Sequence, residues 1–169
     1  MSILPLTLLA KVTLVSASGF VSEHQLELPG VTPDAVYQAL TTDIHRWWDA
    51  EHSYSGKAEN FSLDARAGGC FCEQLDDGGS VMHMQVVFAR PGVHLRLVGG
   101  LGPLQQQAVS GSMEFVLSEG AQGTTLSYRY AVSGMVPGGI EGWAAPVDAV
   151  QLGQLERLQS YLASQDATP

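Results

Sequence analysis

Residues 143–162 constrain the fold more than any other part of the chain. An α-helix advances about 100° per residue. At that pitch Trp143, Val147, Val150, Leu155, Leu158, Tyr161 and Leu162 fall on one stripe, Asp148, Ala149, Glu156 and Ser160 turn away, and Arg157 sits at the margin. Gln151 and Gln154 break the pattern by projecting into the middle of the apolar stripe. Pro146 has no N–H to donate, so it is expected in the first helical turn. Nearly everything before this stretch reads as strand. A single long amphipathic helix after many strands is best buried when a curved antiparallel sheet wraps around it.

Residues 20–28 alternate loosely, with Phe20, Val21, His24, Leu26 and Leu28 marking a first strand that Pro29-Gly30 ends. Thr32 then reads as an N-cap, with Pro33 at the first helical position and Val36, Ala39 and Leu40 at helical spacing. Residues 44–48 continue as a second short helical turn, and 49–57 form a loop. Strands follow at 61–65, 70–75, 81–89 and 94–98. The next strand carries Val109, Gly111, Met113, Phe115 and Leu117 on one face, and the last carries Leu126, Tyr128, Tyr130 and Val132. Each is half polar, so the sheet has one wet face and one covered face.

The chain has 169 residues, 45% of them hydrophobic and 15% charged, enough for one domain with a substantial core. A net charge of -9 with only eight Lys plus Arg argues against nucleic acid and anionic membranes, because phosphate binding needs clustered basic groups. No apolar stretch reaches bilayer-spanning length. Residues 1–17 stand apart from the single domain at 18–165. Within them 3–10 resembles a short signal h-region and 15–17 a small-residue cleavage site, yet no positive charge precedes the run and Lys11 breaks its apolar character immediately afterwards. Export to the periplasm and a cytoplasmic chain with an extra strand or arm both remain open. Oligomeric state is not legible.

The order strand, two short helices, about six strands and a long helix is the helix-grip arrangement, an α+β fold. Three stretches support it: Pro33-Asp34-Ala35-Val36-Tyr37-Gln38-Ala39-Leu40 leading into Arg46-Trp47-Trp48; Ala67-Gly68-Gly69-Cys70-Phe71-Cys72-Glu73 before an Asp-Gly-Gly turn; and residues 86–92 leading into Leu95-Arg96-Leu97. With the terminal helix, these resemble the SRPBCC superfamily, also called START-like, which includes the birch-pollen allergen, polyketide cyclases and heat-shock-protein ATPase activators. The resemblance spans residues 20–162. It implies a shared cavity rather than a shared chemistry.

A sheet wrapped round a helix leaves space where inward side chains are too few, and glycines at inward positions (Gly111, Gly134) widen it. Such an apolar hollow with a few polar groups is the default ligand site. Its lining depends on the turn at 76–79. A two-residue turn, which Asp-Gly favours, places Phe71, Glu73 and Leu75 on one face with Met82, Met84, Val86 and Phe88, and puts Cys70, Cys72 and His83 on the other. A three-residue turn brings Glu73 beside His83 instead.

On the first register Glu73 is a carboxylate aimed into the apolar interior, with its pKa raised by burial unless a donor compensates. Gln151 and Gln154 face the same space. The structural alternative pairs Glu73 with Arg96 or a backbone N–H near the open end of the sheet. Adjacent residues on a helix point about 100° apart, so of Trp47 and Trp48 one belongs to the core and the other to the pocket. The expected ligand-binding set is therefore Trp48, Phe71, Met84, Met113, Tyr128 and Trp143 as walls, with Glu73, Gln151 and Gln154 as polar contacts.

Other chemistries find little support. Cys70, Cys72 and His83 provide only three soft donors, without the two-residue gap of zinc knuckles, so no metal is expected. A disulfide between two cysteines at strand spacing is strained, which favours free thiols. There is no Gly-x-Ser-x-Gly, triad, phosphate-cradling loop or dinucleotide signature, and no cofactor is implied. The leading expectation is a binder of a small hydrophobic or aromatic molecule. One alternative is an enzyme resembling the polyketide cyclases, with Glu73 or His83 as catalytic general acid or base. Another is an ATPase-activating co-chaperone module, which needs an exposed apolar or charged docking face.

Overall fold

A computed structural model describes residues 9–165. Among them, eight strands form one antiparallel sheet: β1 (Leu9–Ser16), β2 (Gly19–Pro29), β3 (Phe61–Leu63), β4 (Cys70–Gln74), β5 (Ser80–Arg90), β6 (His94–Val98), β7 (Ala108–Gly120) and β8 (Gly123–Met135). Three helices accompany it: α1 (Pro33–Leu40), α2 (Ile44–Trp47) and α3 (Glu141–Gln165). The strand order is β1-β2-β8-β7-β6-β5-β4-β3. The architecture is the α+β helix grip. Strands β3 to β8 pair in sequence, and β2 returns to pair with β8 from Gly19↔Ser133 to Pro29↔Gly123. Leu26, Leu95, Leu97, Leu126 and Tyr130 point from the concave face toward α3, whose Leu155, Leu158 and Leu162 are buried against it.

Helix α1 forms where its capping signals place it. The Thr32 side chain accepts from the Ala35 N–H at 3.3 Å, and Pro33 opens the first turn. The signal-like run at 3–10 falls mostly outside the described residues. The part of the N-terminal segment that is described forms β1, which pairs along β2 at the sheet edge.

Helix α3 starts earlier than the proline suggested. It begins at Glu141, so Pro146 lies in the second turn. Ile140 and Ala144 are both buried, and the chain must coil before the proline to bury them. The carbonyl left without a donor belongs to Gly142, which is exposed and can hydrogen-bond water.

The β4–β5 hairpin departs from the favoured register. Gln74 pairs with Ser80 and the Leu75 N–H donates to the Gly79 carbonyl, so Asp76, Asp77 and Gly78 form a three-residue turn. Gly78, at φ 84, supplies the left-handed residue this turn needs, and the Asp77 carboxylate accepts from the Gly79 N–H at 2.9 Å. Two pairs on, Cys72 faces Met82 but Phe71 faces Met84, leaving His83 as the extra residue of a β-bulge. A bulge puts two consecutive side chains on one side. His83 and Met84 are both buried, while Met82, expected inside, is 57% exposed. A second irregularity, between Val86 and Phe88, turns Phe88 outward, where Arg96 stacks on its ring.

Two further expectations are overturned. Cys70 and Cys72 form a disulfide rather than two free thiols. The irregularity between Phe71 and Cys72 leaves their Cα atoms 5.4 Å apart, within disulfide range and short of the roughly 6.5 Å of a regular strand. Gly111 and Gly134 do not widen a hollow. A Cβ on Gly111 would meet the Tyr130 ring at 2.6 Å, and one on Gly134 would run into the Ala108 carbonyl, so both permit close packing.

Candidate functional site

Two loops and one helix enclose the cavity. The loop through the 3-10 turn Ala50–His52 is held at two points: the Asp49 N–H donates to Gln154 Oε1 at 3.0 Å, and the Tyr54 and Ser55 N–H groups donate to the Glu73 carboxylate at 3.1 and 2.6 Å. The loop through the 3-10 turn Gly102–Gln106 is anchored by Tyr130, whose hydroxyl accepts from the Leu101 N–H at 3.0 Å and donates to the Gly99 carbonyl at 3.1 Å. Burial raises that phenol to about 12, so it stays a neutral donor. The first half of α3 is the third wall. Between them lies a cavity of about 450 Å³, lined by Trp48, His52, Tyr54, His83, Leu101, Leu104, Trp143, Val147, Val150 and Gln151, with Glu51 among the wall residues.

The polar centre of this region is the Glu73–His83 pair. Glu73 is 0% exposed and His83 3%, and His83 Nε2 lies 2.9 Å from Glu73 Oε2. Burial alone would raise the Glu73 carboxyl, but the Ser55 side chain, the Tyr54 and Ser55 N–H groups and His83 together outweigh it and hold the group below its ordinary value. For His83, burial is the larger influence and pushes the imidazole below its usual range, against the opposing pull of Glu73. The two directions agree on a charged carboxylate beside a neutral imidazole. Nε2 then carries the proton and donates to Glu73, leaving Nδ1 as an acceptor.

The structure distributes the expected site residues unevenly. Trp48, Trp143 and Gln151 are on the cavity wall, as is His83. Glu73 lies behind His83, enclosed by its donors. Gln154 is turned to the Asp49 N–H, and Gln151 Oε1 accepts from the Tyr128 hydroxyl at 2.8 Å. Glu73, Gln151 and Gln154 therefore do not meet in one hollow. Phe71, Met84, Met113 and Tyr128 are core residues away from the cavity wall. Trp47 is also core, its indole N–H donating to the Ala39 carbonyl at 2.7 Å, whereas Trp48 packs edge-on against Phe61 and Phe71 and borders the cavity. Arg96 pairs with Glu114, not Glu73.

Sequence reading missed the loop residues Tyr54, Leu101 and Leu104, which carry no periodic signal. It also missed a second polar cluster. Asp148, expected to face away, follows Ala144 and precedes Gln151 on the buried line of α3, and its Oδ1 meets His24 Nε2 at 2.9 Å and the Ser22 hydroxyl. Ser22 and Asp148 both contact the same imidazole nitrogen, so the trio cannot relay a proton as a nucleophile–base–acid triad does. It ties α3 to β2. Cys70 and Cys72 face away from His83. Among the described residues no group of three His, Cys, Asp or Glu could hold a metal, and no helix is long and apolar enough to cross a membrane.

No family model and no curated protein matches the chain. Solved structures do resemble it. A Mesorhizobium loti protein shares 20% identity over 89% of this chain and 99% of its own, at a TM-score of 0.59. An uncharacterised Rhizobium leguminosarum protein shares 17% over 94% and 99%, at 0.61. A Staphylococcus aureus protein of unknown function shares 13% over 89% and 98%, at 0.58. These likenesses establish the helix-grip fold and carry no statement of activity.

Proposed function

We propose that this chain binds a small hydrophobic or aromatic molecule in the cavity between α3 and the loops at 49–57 and 99–106. The supporting observation is the character of the wall: Trp48, Trp143, Val147, Val150, Leu101 and Leu104 give about 450 Å³ a large apolar surface, beside polar residues that include Glu51, His52, His83 and Gln151. Pockets of this size and character suit ligands of a few fused rings. Affiliation with the SRPBCC superfamily belongs to the same proposal, resting on the element order and the stretches at 33–48, 67–73 and 86–97. Naphthalene should raise the melting temperature of the wild-type protein by mass action, and Val150→Trp, which fills the cavity, should abolish that rise while the variant stays folded. A rise that survives Val150→Trp would place binding elsewhere and overturn the proposal.

A second reading, catalysis in the manner of the polyketide cyclases, is favoured by one observation: a buried carboxylate 2.9 Å from an imidazole on a cavity wall. In it His83 is the general base and Glu73 orients it.

A further inference from the structure

We infer that the ligand of this cavity is a neutral aromatic hydroxyl compound whose O–H donates to His83 Nδ1. The inference rests on the proposed binding function and names the chemistry the site selects. His83 is buried and lines the cavity, and its Nε2 is committed to Glu73 at 2.9 Å. Among the described residues Nδ1 has no hydrogen-bond partner, and it is not one of the buried polar atoms sealed without one. Because His83 lines the cavity, this open nitrogen is the one we assign to a ligand there. With the proton held on Nε2, Nδ1 can accept and cannot donate. A wholly apolar ligand would cover this acceptor and leave it unpaired, which disfavours such a ligand.

Charge narrows the class further. No lysine or arginine is among the wall residues, Glu51 stands beside His52 there, and the Glu73 carboxylate lies directly behind His83. A carboxylate or phosphate ligand would find no permanently cationic side chain on this wall. A cation would find Glu73 already engaged by Tyr54, Ser55 and His83. A neutral donor meets neither obstacle. Phenolic hydroxyls are stronger donors than aliphatic ones, and the indoles of Trp48 and Trp143 provide faces and edges for a flat ring. Gln151, with Oε1 taken by Tyr128, keeps its amide N–H for an acceptor on the same ligand.

Equilibrium dialysis of the full chain against 2-naphthol, 2-methoxynaphthalene and 2-naphthoate tests this. The ring body is constant and only the polar group changes. One buried hydrogen bond predicts that 2-naphthol binds about tenfold more tightly than its methyl ether, with 2-naphthoate the weakest of the three. His83→Phe should equalise naphthol and ether, whereas a merely structural role for His83 would weaken both alike. Should that variant not fold, the wild-type His83 Nδ1 resonance in 15N NMR should shift with 2-naphthol and not with the ether. Equal affinities of naphthol and ether for the wild type would overturn the inference and leave the proposed function standing. Binding of none of the three would overturn both.

Discussion

Glu73 stays ionised without solvent because three N–H donors converge on it, from Tyr54, Ser55 and His83. Its folded pKa lies below the ordinary 4.5, so the stability it contributes is complete above that value and is lost as pH falls through the depressed one. His83 is likewise depressed from 6.5, and its contribution is complete above 6.5 and lost as pH falls through its own lowered value. Both act in the same direction. Urea unfolding should therefore show stability declining from about pH 6.5 downward. At pH 7, Glu73→Gln should cost about 1–3 kcal/mol by turning one acceptor into a donor that faces another donor. A variant as stable as the wild type at pH 7 would show that the carboxylate does not hold the 49–57 loop. An inward Glu73 was legible from alternation. Its partner was legible only as the less favoured alternative: Asp-Gly suits a two-residue turn, whereas the three-residue turn that forms sets Glu73 opposite Val81 and so on the same face as His83.

At the scale of elements, α3 and the β4–β5 hairpin differ in how plainly the sequence declares them. The apolar stripe of α3 is visible because Leu155, Leu158 and Leu162 recur at helical spacing. Asp148 lies on the same buried line but reads as a polar, outward residue, since its hydrogen-bonding partners, Ser22 and His24, sit on a strand over a hundred residues away. The hairpin turned on one choice between two and three residues. Gly78 fits either, and the Asp77 carboxylate bonding Gly79 favours the longer turn. The Cys70–Cys72 bridge closes a very short loop, so the unfolded chain loses little freedom to it, and the loop-entropy relation gives about 1.5 kcal/mol. Reducing it, with thiol release checked by mass spectrometry, should lower stability by no more than about 2 kcal/mol and leave ligand affinity unchanged. A larger loss, or a cavity that ceases to bind, would make the bridge a determinant of the bulge at His83.

For the whole molecule, the helix grip was readable because its cause is global: many half-polar strands and one amphipathic helix have few ways to bury their apolar faces. The cavity was readable only as a general tendency of the architecture. Its position was not, because two loops without periodicity, held by Tyr130 and Glu73, decide which part of the concave face stays open. That shifted the site toward the first half of α3 and left Phe71, Met84, Met113 and Tyr128 in the core. Trp48 and Trp143 border the cavity while Trp47 is tied to the Ala39 carbonyl, so the three indole N–H resonances are separate reporters. Titrating naphthalene into 15N-labelled protein and following those resonances tests the central claim most directly. Saturable shifts at Trp48 and Trp143 with Trp47 unmoved are predicted; no saturable shift, or one confined to Trp47, would contradict a ligand cavity in this place.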